Sequence, residues 1–125
     1  MSTPIYVDPL IDLTSQKTVS IIIQFKTKLA RLAVLDAQAN GQTLSLEQAQ
    51  KAVDDAHIRF YNEMETLLDA VPYTITRSFK IAYNGVAMEL PANEINRLLK
   101  STEISSIHAD KEIRLNPPTM PFGQM

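Results

Sequence analysis

The stretch RSFKIAYNGVAMEL, residues 77–90, predicts a β-hairpin and decides the class of the fold. Val86, Met88 and Leu90 recur at every second position, which is typical of a strand with one buried face. Asn84-Gly85 immediately precedes this run and is a strong signal for a hairpin turn. Apolar and polar residues also alternate before the turn, so we expect two antiparallel strands.

The strand before the turn has one irregular position. Its alternating apolar residues are Tyr73, Ile75, Phe79, Ile81 and Tyr83. Arg77 falls in the same phase, because side chains two positions apart on a strand share a face. The pattern therefore predicts Arg77 as the one charge on the apolar side of this strand.

Upstream of the hairpin, the spacing of the apolar residues predicts one strand and two helices. Residues 18–26 alternate and are rich in β-branched side chains, which favours a strand. Residues 27–39 fit a short helix that ends at Asn40-Gly41, where glycine permits a left-handed cap. Ser45 and Gln48 form the capping-box signature of a second, longer helix, which Pro72 stops.

Downstream of the hairpin, Pro91 opens a short helix, and a last strand carries Ile107, Ala109, Ile113 and Leu115 in one phase. The predicted order is β-α-α-β-β-α-β. Without the extra helix inserted after the first strand, this is the α+β, ferredoxin-like plan βαββαβ. It consists of an antiparallel four-stranded sheet with helices on one face.

The distribution of proline separates the ends of the chain from its middle. Five of the seven prolines lie near the termini, at positions 4, 9, 117, 118 and 121. Because proline lacks the donor that helices and strand ladders need, residues 1–16 are predicted to be an extended amino-terminal arm. Residues 17–115 are the predicted folded domain, and residues 116–125 are an extended carboxy-terminal tail. Residues 1–16 lack the basic and apolar regions of a secretion signal.

Composition excludes several classes of function. The net charge of -2 gives no general attraction to nucleic acid or to an anionic membrane surface. Without cysteine the chain has no thiolate chemistry, and its three glycines supply no phosphate-binding fingerprint. His57, in the long helix, is interpreted as a surface or boundary residue, with no second histidine at i+4 to help bind a metal. We therefore expect no enzyme activity, no cofactor and no metal site.

The face of the predicted sheet that points away from the helices carries small and mildly polar side chains. Its members are Ser20, Ile22, Gln24, Thr74, Thr76, Ser78, Ala87, Glu89, Ser106, His108 and Asp110. A broad surface of this kind suits docking against another protein better than enclosing a small molecule. An ordinary solvent-exposed sheet face fits the pattern equally well.

Four segments, taken in order, resemble a known family. They are KTVSIIIQFK at residues 17–26, the helix segment 56–68, the stretch at residues 77–90, and EISSIHADKEIRL at residues 103–115. The set resembles the propeptides of subtilisin-like serine proteases, the peptidase inhibitor I9 family, over about residues 18–115. The arm and the inserted helix are similar to propeptides of larger secreted bacterial subtilases.

The resemblance implies a secreted propeptide that acts as an intramolecular chaperone and as a temporary inhibitor of its protease zymogen. In that family the outer sheet face packs on the catalytic domain, and the carboxy-terminal tail lies in the substrate cleft. The residues expected to bind the protease are Ile22, Ala87, Glu89, Ser106, His108, Asp110, Phe122 and Met125. Met125 would offer the P1 side chain if it is the natural end, and Phe122 the P4 group.

Asp110 matches an acidic position that the family uses to cap a helix of the protease. A carboxylate suits that role because it accepts from the free N–H groups of the helix end. Two residues earlier this chain has His108 where relatives often carry a second acid. Protonated His108 would place a cation against a helix amino terminus, which predicts pH-dependent binding.

Two other readings of the sequence stay open. One is a stand-alone inhibitor that acts in trans on a protease encoded elsewhere, which the downstream coding sequence would decide. The other is a ferredoxin-like interaction or ligand-sensing module, which would tolerate loss of the tail and affect no subtilase. The sequence does not indicate the oligomeric state.

Overall fold

The computed structural model describes residues 4–110, which fold around one mixed sheet. The strands are β1 (Tyr6–Val7), β2 (Thr18–Phe25), β3 (Thr74–Phe79), β4 (Gly85–Pro91) and β5 (Ile104–Ala109). The helices are α1 (Ala30–Ala39), α2 (Leu46–Leu67) and a 3₁₀ helix (Ala92–Lys100). Within this part of the chain no helix combines the length and apolar character that crossing a bilayer requires.

The sheet has the strand order β1-β5-β2-β4-β3. The strands from β5 to β3 are antiparallel to their neighbours, whereas β1 is parallel to β5. The predicted α+β class is confirmed, but the expected four-stranded plan is incomplete because β1 adds a fifth strand. Apolar residues of the arm that carries β1 explain its position, since they pack against the main core. These residues are Ile5, Val7, Ile11 and Leu13.

The inner face of the sheet is covered by α2 and the 3₁₀ helix. Apolar side chains of both helices join those of β2, β4 and β5 in one buried cluster, which includes Ile21, Ile23, Phe60, Met88 and Leu98. Helix α2 begins as predicted, because the Ser45 hydroxyl accepts the Gln48 N–H at 3.0 Å and the Gln48 side chain accepts the Ser45 N–H. With its first turn capped in this way, α2 packs its apolar side chains against the inner face of the sheet.

Helix α1 packs on the start of α2 rather than on the sheet. Ala30 of α1 meets Ala49 and Val53 of α2 in a second, smaller buried cluster. Gly41 follows the helix with φ +72, so the predicted left-handed cap is confirmed. This small contact leaves much of α1 open to solvent.

Candidate functional site

Six of the eight residues predicted to bind a protease lie together on the outer face of the sheet. Ile22 of β2 stands opposite Ala87 of β4 on one side and opposite His108 of β5 on the other. Glu89 is opposite Ser20, and Ser106 is opposite Gln24, in the same layer of side chains. Asp110 follows directly after β5. Phe122 and Met125 lie outside the described residues.

The residues of this outer face differ in how far they are exposed. Ala87 is fully buried and Ser106 nearly so, while Ile22 and His108 are half-buried and Glu89 is exposed. Ile22 belongs to neither buried apolar cluster of the described residues, whose helical side chains pack against the inner face. The result is a shallow surface with a half-exposed isoleucine at its middle.

A β-bulge brings Arg77 to this outer face, so its predicted position on the apolar side is wrong. The register of β3 against β4 shifts between Ile75, opposite Met88, and Arg77, opposite Ala87. Thr76 is the extra residue, and its hydroxyl donates to the carbonyl oxygen of Ala87 at 3.1 Å. Because one inserted residue reverses the phase of those that follow, Arg77 turns outward. A lone charge in an apolar phase was the signal for this change.

Arg77 extends over the outer face toward the far side of the sheet. Its Nη2 lies 3.7 Å from Oδ2 of Asp110, although β3 and β5 are separated by two strands. The guanidinium carbon also lies 5.4 Å from the centre of the Phe79 ring. Arg77 is therefore a member of the outer face that sequence reasoning did not include in the site.

Asp110 is the most enclosed carboxylate of the outer face, with only 1% of its side chain exposed. Its Oδ2 accepts from the Ser20 hydroxyl at 3.1 Å, and its backbone N–H donates to the Ser20 carbonyl oxygen at 3.1 Å. Its Oδ1 has no hydrogen-bond partner among the described residues. This oxygen is itself buried, so a donor from another molecule, such as a helix amino terminus, would reach it only after neighbouring side chains move aside.

His108 lies on the side of the outer face nearest to β1. Its Nε2 is 3.1 Å from the Ser106 hydroxyl oxygen, and its ring centre is 5.4 Å from that of Tyr6. The edge strand β1 thus borders the predicted site, which sequence reasoning did not anticipate. The arm that carries β1 also lines a cleft of about 540 Å³ together with Glu89 and Asp110.

A second exposed surface lies between α1, the start of α2 and residues 80–82. It is a groove of about 960 Å³ lined by both helices and by Ile81. Its exposed apolar residues include Leu32, Leu35 and Leu46, and Ile81 is 92% exposed. This groove is apolar, and none of the six described residues predicted to bind a protease lines it, so it serves as an internal control for docking experiments.

His57 is buried, with 2% of the residue exposed, so its interpretation as a surface or boundary residue is wrong. Its Nε2 lies 2.8 Å from Oδ1 of Asn84, and Nδ2 of Asn84 donates to the Thr27 carbonyl oxygen at 2.8 Å. Burial lowers the pKa of His57, and the hydrogen bond with Asn84 only partly opposes this. Asn84 therefore does more than occupy a turn: it joins α2 to the segment after β2.

Metal ligands are not grouped in the described part of the chain. Residues 4–110 contain no cluster of three His, Cys, Asp or Glu side chains arranged to hold a metal ion.

Comparisons with known proteins place this arrangement in a family. No curated protein and no solved structure matches the chain significantly. The family model of peptidase inhibitor I9, however, matches residues 20–116. That range covers most of the chain and includes the strands that form the outer face, but excludes the arm that carries β1. The chain therefore belongs to the peptidase inhibitor I9 family, the non-catalytic propeptide and inhibitor domains that bind subtilisin-like proteases.

Proposed function

We propose that this chain is the propeptide domain of a secreted subtilisin-like serine protease. It assists folding of the catalytic domain and then inhibits it temporarily. The outer face of the sheet docks on the protease, and the carboxy-terminal tail enters the substrate cleft with Met125 or Phe122 in an apolar subsite. Only non-covalent contacts are involved.

The single observation that carries this proposal is the outer face itself. Ile22 and His108 are half-exposed on this face above the buried Ala87 and Ser106, and the helices of the core pack on the opposite side. Asp110 at its border keeps one buried oxygen without a partner in the described chain. A half-exposed isoleucine beside a carboxylate fits a protein partner that presents an apolar side chain and backbone donors.

Folding assistance and inhibition follow from the same contact. A complex that forms only with the folded protease stabilises that fold by mass action. A standard interface buries roughly 1,600 Å², and nanomolar affinity corresponds to about 12 kcal/mol. A sheet face plus an extended tail can supply contacts on this scale.

Inhibition of a panel of subtilisin-like proteases tests the proposal. Four chains are compared: the wild type, a chain that ends at Leu115, Ile22→Arg and Ile81→Arg. Ile22→Arg adds a charge in the middle of the outer face, where we expect inhibition to weaken by roughly a hundredfold, on the scale of an interface hot spot. The shortened chain loses the tail, so its inhibition falls sharply as well.

Ile81→Arg is the matched control, because it makes the same substitution at an isoleucine that is 92% exposed in the apolar groove. We expect it to inhibit as the wild type does. Inhibition that is insensitive to Ile22→Arg but weakened by Ile81→Arg would contradict docking through the sheet. Inhibition that survives loss of the tail would contradict the role given to the cleft.

A further inference from the structure

The arm before β2 makes a set of contacts that the family match does not include. The match begins at residue 20, whereas β1 comprises Tyr6–Val7. Tyr6 pairs with Ser106 and Val7 with Ile107, so the arm lies along the outer edge of β5. Strand β5 carries Ser106 and His108 of the outer face and is followed directly by Asp110.

Asp8 links the arm to the last residues of β5. Its backbone N–H donates to the Ile107 carbonyl oxygen at 2.8 Å, and its Oδ2 accepts the Ala109 N–H at 3.1 Å. The other carboxylate oxygen accepts the Leu10 N–H at 3.0 Å, which turns the arm away from the strand. Asp8 is only 8% exposed, so these hydrogen bonds are largely shielded from competing water.

The far end of the arm is also fixed. The carbonyl oxygen of Ser15 accepts the Asn93 N–H at 2.8 Å, and that of Lys17 accepts the Ala92 N–H at 2.9 Å. Ile11 and Leu13 pack against the main core between these two ends. The arm is therefore held by hydrogen bonds at both ends and by apolar contacts between them. Asp8, which accepts the Ala109 N–H of β5, lies in a segment that is itself held in place.

We propose that Asp8 is a positioning residue for inhibition. By holding the N–H of Ala109, it fixes the end of β5 and the position of Asp110, from which the chain continues toward the tail. This inference rests on the proposed function, because it assigns the arm a role in the same docking event. A segment held in its bound direction loses less conformational entropy on binding, so affinity rises without any new contact.

Asp12 offers a matched control in the same arm. Its Oδ1 accepts the Thr14 N–H at 3.0 Å, as Asp8 accepts that of Leu10, and it also accepts from the Thr14 hydroxyl. Both of these hydrogen bonds lie within the arm, so neither of them reaches β5. We therefore compare Asp8→Ala and the milder Asp8→Asn with Asp12→Ala. Each is made in the full chain and in the chain that ends at Leu115, and thermal melting identifies any variant that does not fold.

The expected result is a coupling between Asp8 and the tail. Asp8→Ala should weaken inhibition by about tenfold in the full chain and by less than about threefold in the shortened chain, with Asp8→Asn between these values. Asp12→Ala should change neither. An equal loss in both lengths would overturn the inference, because it would mean that Asp8 only stabilises the fold.

Amide hydrogen exchange in the free protein tests the inference without a protease. The Asp110 N–H is bonded to Ser20 and not to Asp8, so faster exchange of this proton in Asp8→Asn would report a loosened exit from β5. Amides shared by β2 and β4 should exchange as in the wild type. Unchanged exchange at Asp110 would overturn the inference even if the wild type inhibits. Failure of the wild type to inhibit any protease, with faster exchange at Asp110 in Asp8→Asn, would instead overturn the proposed function and the role in inhibition, and would leave only the structural result that Asp8 holds the end of β5.

Discussion

The inner and outer faces of the sheet use the same strands for different purposes. Ile21 and Ile23 point inward from β2 and are fully buried, whereas Ile22 between them is half-buried on the outer face. The inner residues contact α2 and the 3₁₀ helix, whereas Ile22 belongs to neither buried apolar cluster of the described residues. A substitution at the inner positions should therefore change stability, and a substitution at Ile22 should change binding.

Gly85→Ala should have the largest effect, because Gly85 leaves no room for a side chain between β4 and β2. A Cβ at this position would lie 1.9 Å from the carbonyl oxygen of Ile23, a backbone atom that cannot rotate away. We expect a loss of more than about 4 kcal/mol in the free energy of unfolding, measured by urea denaturation.

Gly41→Ala is the control for Gly85→Ala. It has open space around its Cβ position, and it should lose only about 1 kcal/mol through its positive φ. Equal losses for the two variants would show that the approach of β4 to β2 is not tight.

Ile21→Ala and Ile22→Ala test the two faces with adjacent residues of one strand. Ile21→Ala leaves a cavity in the core and should lower the free energy of unfolding by about 3 kcal/mol. Ile22→Ala should lower it by about 1 kcal/mol or less and should weaken protease inhibition more than its stability loss explains. Denaturant titrations measure the free energy of unfolding of both variants, and inhibition assays measure their affinity for the protease. Equal losses of stability and equal losses of affinity in the two variants would contradict the distinction between the faces.

The lowered pKa of His57 predicts that the free energy of unfolding falls in mildly acidic solution. Because burial lowers its folded-state pKa, the unfolded chain binds a proton first as pH falls below the ordinary value near 6.5. Its stabilising effect is therefore present above that value and is lost toward the lower folded-state pKa, at up to about 1.4 kcal/mol per pH unit. Denaturant titrations at several pH values across this range should show that the free energy of unfolding changes less steeply with pH in His57→Gln than in the wild type.

Glu63 provides a separate, more acidic window for the same measurement. Burial raises its pKa, but hydrogen bonds from Ser101 and Thr102 outweigh burial, and the net shift is downward. The stability it contributes is present above the ordinary glutamate value and is lost as pH falls through the lowered pKa. If the free energy of unfolding of His57→Gln still changed with pH below about 6.5 as steeply as that of the wild type, the assignment to His57 would be contradicted.

Ser45→Ala should have a small effect that is confined to stability. It removes the hydroxyl that accepts the Gln48 N–H at the start of α2, far from the outer face. We expect about 1 kcal/mol less stability and unchanged inhibition by the fully folded variant. Thermal melting and an inhibition assay below the melting range check both parts, and a loss of affinity would mean that α2 contributes to docking directly.

Local patterns predicted much of the fold because they depend on neighbours in sequence. The alternation in residues 18–26 and 86–90 located β2 and β4, and Ser45 with Gln48 located the start of α2. Six of the predicted site residues share one face because their strand phases were read correctly. Whether they bind a protease is still a prediction.

The remaining features depend on partners distant in sequence. The phase of Arg77 changes at a bulge that exists only when β3 pairs with β4, and the buried His57 bonds to Asn84, 27 residues away. Asp8 accepts the N–H of Ala109, which is 101 residues away. Four strands, the long helix and its cap were predictable from the sequence, because side-chain period and capping are local. The bulge, the buried histidine and the fifth strand required the folded structure, because each involves hydrogen bonds between segments that folding brings together.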